Sequence, residues 1–147
     1  MRKFSKKEEL ILFVLYFIKC IYGRTYFQKL FFLIQNELLE DLDFGYIKYH
    51  YGPFSEELNK LINGLVREGL VQESISVSKQ KNVGHCYRLS KQFSKEVEKI
   101  IKGVNKNELE KLKKFCDEYD NYTPSELLKY VYLNYPEWTI NSLLNNQ

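Results

Sequence analysis

Apolar positions recur at helical spacing along most of this chain, broken by short stretches of alternation. Ser5 and Glu8 stand three apart, the spacing at which each side chain satisfies an orphan backbone donor of the other, and so predict a helix start. Leu10, Val14, Phe17, Ile18 and Ile21 then share one face, while Ile11, Phe13 and Leu15 make the other faces apolar too. A helix that is hydrophobic nearly all round is either enclosed by the rest of the fold or lies in an oligomer interface. Gly23 is its expected end. A second helix is predicted from Thr25, with Gln28 in the capping-box position, through Leu30, Phe31, Leu33 and Ile34, fading near Leu39. Phe44 to Tyr51 alternates like a short strand, with Ile47, Tyr49 and Tyr51 on one side, and Gly52-Pro53 is its expected stop. Ser55 caps a third helix with Leu58, Leu61, Ile62, Leu65 and Val66 at the i, i+3, i+4, i+7, i+8 positions, and Gly69 ends it.

From Leu70 the pattern alternates through Ile75 and Val77, passes a polar tip from Lys79 to Gly84, and returns through Tyr87 and Leu89 as a β-hairpin. The remainder is helical: Phe93 to Ile101, a helix from near Asn107 with Leu109, Leu112 and Cys116, and a third opened by Thr123-Pro124-Ser125-Glu126 and stopped by Pro136. Trp138 to Leu144 is expected to form a last short turn. The order helix, helix, short strand, helix, hairpin is that of a winged helix-turn-helix. The expected fold class is therefore mainly α with a small antiparallel β-hairpin (α+β). Residues 1–147 form one unit, with a winged-helix-like core over about 5–90 and a helical extension over about 91–147.

Composition narrows the function classes. A chain of 147 residues with 44% hydrophobic and 28% charged residues is an ordinary globular domain, and 12 Tyr and 10 Phe make it rich in half-buried or interfacial aromatics. A net charge of +3 is too small by itself to mark a phosphate-tracking surface. The apolar run Leu10–Ile18 falls short of the ~20 residues that span a bilayer, and Glu8 and Glu9 before it argue against a secretory leader. No membrane association is expected. The three cysteines, Cys20, Cys86 and Cys116, are odd in number and widely spaced, which points to free thiols in a reducing cytoplasm.

Arg24-Thr25-Tyr26-Phe27-Gln28-Lys29-Leu30-Phe31-Phe32-Leu33 resembles the K-T-x-L-Q-K-L-x-F-L helix of the YwgA-like proteins and their SocA-like (Panacea) antitoxin relatives. Tyr49-His50-Tyr51-Gly52-Pro53-Phe54-Ser55-Glu56-Glu57-Leu58 is similar to the Y-x-Y-G-P-Y/F-S-x-E-L junction of that group. Gly69-Leu70-Val71 and Tyr87-Arg88-Leu89-Ser90 fit its wing strands. The likeness covers roughly residues 8–90, with weaker support from Tyr130 to Trp138. One departure stands at Tyr51, where the Panacea group usually carries His before Gly-Pro. The resemblance implies a winged-helix-like core with extra helices and, as in some relatives, an antitoxin or proteolytic adaptor that holds another protein, such as a toxin or a protease substrate. It carries over no catalytic residue set.

Candidate chemistry divides between two readings. In the first, Tyr49, Tyr51 and Phe54 at the Gly-Pro turn, with Asn59 and Asn63 on the third helix, contact a protein partner. The plainer account of that turn is a Pro-restricted bend leading into a Ser cap. In the second, Lys60, Arg67, Lys79, Lys81 and Arg88 contact duplex DNA in a regulator that dimerises through its first or last helices. Against it, Glu56 and Glu57 would repel phosphates, and charged hairpin tips commonly serve only solubility. Arg2, Lys3, Lys6 and Lys7 form a second basic group, read as a flexible arm. No metal site is expected, since His85 and Cys86 are adjacent on a strand and point oppositely, and no chelating spacing exists. No phosphate-binding or dinucleotide loop and no nucleophile–base pairing is present, so neither a cofactor nor catalysis is expected.

Overall fold

The structure, a computed structural model, describes residues 2–50, 52–77, 81 and 83–139. Its helices are α1 (Lys6–Phe17), α2 (Arg24–Glu37), α3 (Glu56–Arg67), α4 (Lys91–Lys102), α5 (Lys106–Asp120) and α6 (Pro124–Asn134), followed by a 3-10 turn over Pro136–Thr139. Its strands are β1 (Ile21–Tyr22), β2 (Ile47–Tyr49), β3 (Gly52–Phe54), β4 (Val71–Val77) and β5 (Val83–Leu89). The described residues are thus mainly helical with two small antiparallel sheets, one ordered β1-β5-β4 and one pairing β2 with β3. Within the described residues, no helix is long and apolar enough to cross a membrane.

Local sequence sets several boundaries directly. Ser5 and Glu8 form the reciprocal cap of α1, at 3.1 and 2.9 Å, and Thr123 and Glu126 repeat it on α6, at 3.1 and 3.0 Å. Ser55 caps α3 by accepting the Leu58 N–H at 3.0 Å. Gly69 lies at φ +80°, the left-handed conformation that turns the chain out of α3 into β4. The α3 stripe faces inward as its spacing predicts: Leu58, Ile62 and Leu65 are buried, with Leu61 and Val66 packed at the edge.

Two helices form the centre. Leu10 to Leu15 of α1 and Tyr26 to Ile34 of α2 are buried without a gap, so both helices are enclosed on every side. Buried residues from α3, β4, β5, α4, α5 and α6 join the same apolar cluster. The arm before α1 lies on the fold. Phe4 packs on Phe93 with ring centroids 5.6 Å apart, Arg2 pairs with Glu8 at 2.6 Å and Glu68 at 2.9 Å, and Lys7 pairs with Glu57. Of the basic group expected as a flexible arm, Arg2 is therefore held by two ion pairs, and Lys6 and Lys7 lie within α1.

Other expectations fail where a distant partner decides. The chain after α1 does not continue as helix to Gly23. It breaks at Ile18, and Ile21 and Tyr22 pair with Tyr87 and Cys86 of β5. Helix α2 begins one residue before Thr25, and its N-cap is Gly23, which has no side chain to cap with, while Gln28 is engaged elsewhere. Gly52 and Pro53 do not stop a strand but form β3, opposite Tyr49 and Lys48. The turn expected over Trp138–Leu144 begins at Pro136, and residues beyond Thr139 lie outside those described. Cys20 and Cys86 are not free thiols: they form a disulfide across 66 residues, which removes the basis for inferring a reducing compartment from cysteine spacing. Cys116 is free and buried.

Candidate functional site

The helix α2 sits between the Gly-Pro junction and α3, and its polar side chains hold both. Gln28 is 3% exposed and lies flat against the backbone of Ser55. Its Nε2 donates to the Ser55 carbonyl at 2.9 Å, and its Oε1 accepts the Ser55 N–H at 2.8 Å. A side-chain amide thus replaces a neighbouring strand, and both backbone groups are satisfied without water. The Ser55 hydroxyl donates to the Phe44 carbonyl while capping α3, and the Tyr46 hydroxyl donates to the Gln28 carbonyl at 2.7 Å.

Lys29, the next residue, is equally buried and donates from Nζ to the Pro53 carbonyl at 2.9 Å. Burial pushes its ammonium down to about 8, since the charged form loses hydration. Gly52 lies at φ +90°, and a Cβ there would stand 3.2 Å from the Tyr132 ring and 3.7 Å from Lys29 Cε. The conformation favours glycine, and any side chain there would also have to displace the Tyr132 ring by a few tenths of an ångström. The Gln-Lys helix motif and the Gly-Pro-Phe-Ser junction are two halves of one buried clasp.

Arg24 makes a second clamp at the head of α2. Its Nε donates to the Tyr87 hydroxyl at 2.7 Å, its Nη2 to Asn63 Oδ1 at 2.6 Å, and its Nη1 to Asn59 Oδ1. The guanidinium centre lies 4.9 Å from the centre of the Tyr87 ring. One planar fork thus joins α2, α3 and β5. Asn59 and Asn63, singled out as partner contacts, are brought together, but their carbonyl oxygens face Arg24.

Tyr49 and Phe54 are also together, their rings 5.3 Å apart, with Tyr49 exposed and Phe54 half-buried. Tyr51 and Lys79 lie outside the described residues. Lys60, Arg67, Lys81 and Arg88 are exposed, and Lys60 stands 3.5 Å from Glu56. Among the described residues, no group of three or more His, Cys, Asp or Glu side chains is placed to hold a metal ion. His85 Nδ1 stands 3.0 Å from Glu73.

The surface that residue-type reasoning missed is apolar. Pairing of Val71 with Leu89, Glu73 with Tyr87, Ile75 with His85 and Val77 with Val83 puts these residues on one face of the hairpin. At the base that face is buried, through Val71, Tyr87 and Leu89. Towards the tip it overhangs the core, leaving Ile75 74%, Val77 58% and Val83 74% exposed. The alternation in the sequence gave the shared face. It could not tell where the core beneath it ends.

These features define a mainly helical α+β chain whose central helix clasps a Gly-Pro junction and supports an overhanging hairpin. Residues 27–139 match the family described as "Antitoxin SocA-like, Panacea domain", and the chain belongs to that family. The matched span takes in α5, which the motif resemblance did not reach, and α6, which it reached only weakly. No match was found among curated proteins.

Proposed function

We propose that the chain is a non-enzymatic binding protein of antitoxin or adaptor type that holds a protein partner, a toxin by the family's description. In this reading residues 1–147 act as one unit, with α2, α3 and the β4–β5 hairpin arranged as a winged helix. The partner is held through the outer half of the hairpin, and Tyr49 and Phe54 add a second aromatic contact. The observation that carries the reading is the exposed apolar strip of Ile75, Val77 and Val83, because contiguous exposed apolar side chains mark interaction surfaces.

Two further features favour protein over duplex DNA. The polar residues of α3 that could read base edges, Asn59 and Asn63, are engaged by Arg24. Within the basic group, Arg2 is paired with Glu8 and Glu68, and Lys7 with Glu57.

Tagged chain recovered from its native cell should carry one stoichiometric protein partner, identified by mass spectrometry. Ile75→Lys with Val83→Lys should abolish that complex and leave the circular dichroism spectrum unchanged. A partner retained at full stoichiometry by this variant would refute the assignment of the surface. Salt-dependent binding of duplex DNA, lost on Lys81→Glu with Arg88→Glu, would replace the protein reading with a nucleic-acid one.

A further inference from the structure

A second recess lies away from the hairpin. It is a groove of about 750 Å³ between α1, the segment that follows α2, and the start of α5. Its floor is apolar, formed by Leu10, Phe13 and Leu112 of the core. Its walls are Leu38, Leu39, Leu42, Val104 and Leu109, all only half-buried. The segment 38–42 and the α4–α5 connection therefore present leucine and valine side chains that the chain itself does not finish covering.

The rim is charged and unbalanced. Glu9, Glu40, Asp41 and Glu108 stand around it against Lys6 and Lys111. None of these six makes an ion pair with another described residue, although acids and bases elsewhere on the surface do. Four carboxylates and two ammonium groups leave a local charge of −2 around an apolar floor, on a chain whose total is +3. The imbalance selects the occupant. Residues 140–147, Ile-Asn-Ser-Leu-Leu-Asn-Asn-Gln, carry no basic side chain and do not match it.

We propose that this groove receives an amphipathic helical segment of a partner protein, with Leu, Ile or Phe at i, i+3, i+4 and i+7 and Lys or Arg on its flanks. The volume lies within the ~300–1,000 Å³ range of built pockets and accepts a few anchor side chains of such a helix. The acidic rim steers the basic flanks and discriminates against acidic helices. The site is separate from the hairpin surface, though it shares the reading of the chain as a protein-binding one.

The test uses the full chain and two fluorescein-labelled 18-residue helical peptides. Both carry the same leucine face, one with Lys flanks and one with Glu flanks, and binding is read by fluorescence anisotropy at low salt. The Lys peptide should bind at least tenfold tighter than the Glu peptide. Glu40→Lys with Asp41→Lys, both on the exposed rim, should remove that preference, and Leu39→Asp should weaken the Lys peptide at least tenfold. Ile75→Lys with Val83→Lys should leave it unchanged, which separates failure of the hairpin reading from failure of this one. Equal binding of the two peptides, or binding insensitive to the rim variant, would overturn the proposal. So would a dimer of the chain alone that Leu39→Asp dissociates, since a second copy would then own the groove.

Discussion

The first turns of α2 and its last residue anchor neighbouring elements by different chemistry. Gln28 and Lys29 act in the dry interior, each on backbone groups of the Gly-Pro-Phe-Ser junction that have no access to water. Glu37 acts at the surface. Its carboxylate accepts from Tyr119 at 3.1 Å, Tyr130 at 3.2 Å and Tyr135 at 2.6 Å, so that α5, α6 and the segment after α6 converge on one residue. The rings reinforce it, with Tyr119 5.2 Å from Tyr122 and 5.6 Å from Tyr130. Desolvation, with Glu37 adding to it, holds the Tyr119 and Tyr135 phenols above their ordinary value and keeps them donors. The buried end loses most when a partner goes missing, because what remains cannot turn to solvent. At the exposed end Tyr130 and Tyr135 can, and only the Tyr119 ring is buried.

This contrast sets an order of effects. Gln28→Leu should be the most damaging, since it strands the buried N–H of Ser55, while the Ser55 carbonyl keeps only the Asn59 N–H at 3.3 Å; the expected loss is about 3 kcal/mol by urea denaturation, the upper end of the ~1–3 kcal/mol for one unpaired group. Gly52→Ala should follow at about 2 kcal/mol, from left-handed strain and the Tyr132 contact. A loss under half that would mean the junction yields more readily than the clasp implies.

Lys29 gives a test that only the buried end can pass. Below pH 8 both folded and unfolded chains hold its proton, and the burial cost is present in full. Between about 8 and its ordinary 10.5 the unfolded chain alone keeps the proton, so stability rises with pH. The slope approaches about 1.4 kcal/mol per pH unit. Above 9 the buried Cys116 thiol, pushed up to about 12, acts in the opposite direction, because the unfolded chain then releases that proton first. The rise is therefore cleanest from pH 8 to 9, and Lys29→Met should abolish it. A rise that persists in the variant would assign the titration to another group.

Glu37→Gln should be the mildest change, at about 1 kcal/mol or less, as water replaces what the carboxylate offered. Gln28 and Glu37 lie nine residues apart, roughly 13 Å along a helix, so the double variant should show the sum of the single losses. Coupling above about 0.5 kcal/mol would show that the two ends are not independent anchors.

What could be read from the sequence follows the range of the interaction. The caps at Ser5, Ser55 and Thr123, the α3 stripe and the β4–β5 hairpin are each set by residues close in the chain, and their positions agree with the pattern. Gln28 stands where a capping box needs it, yet two buried groups of Ser55 outcompete the start of its own helix. β1 is two residues long and exists only because β5 lies beside it. Glu37 meets Tyr119, Tyr130 and Tyr135 from 82, 93 and 98 residues away, and no spacing rule reaches that far. Arg24 lay inside the recognised motif, but its three acceptors come from α3 and β5, so its role was visible only once those elements were placed.

The Cys20–Cys86 bond has a topological effect. It closes a covalent ring that contains α2, the Gly-Pro junction, α3 and the length of β4, while α4, α5 and α6 hang outside it. A protease that cuts after Lys81 severs the ring without separating its pieces, which stay joined until a reductant is added. A cut after Lys102 releases the trailing helices from any covalent hold. Whatever grips the hairpin therefore grips a closed loop, whereas whatever grips α5 or α6 pulls on a tail.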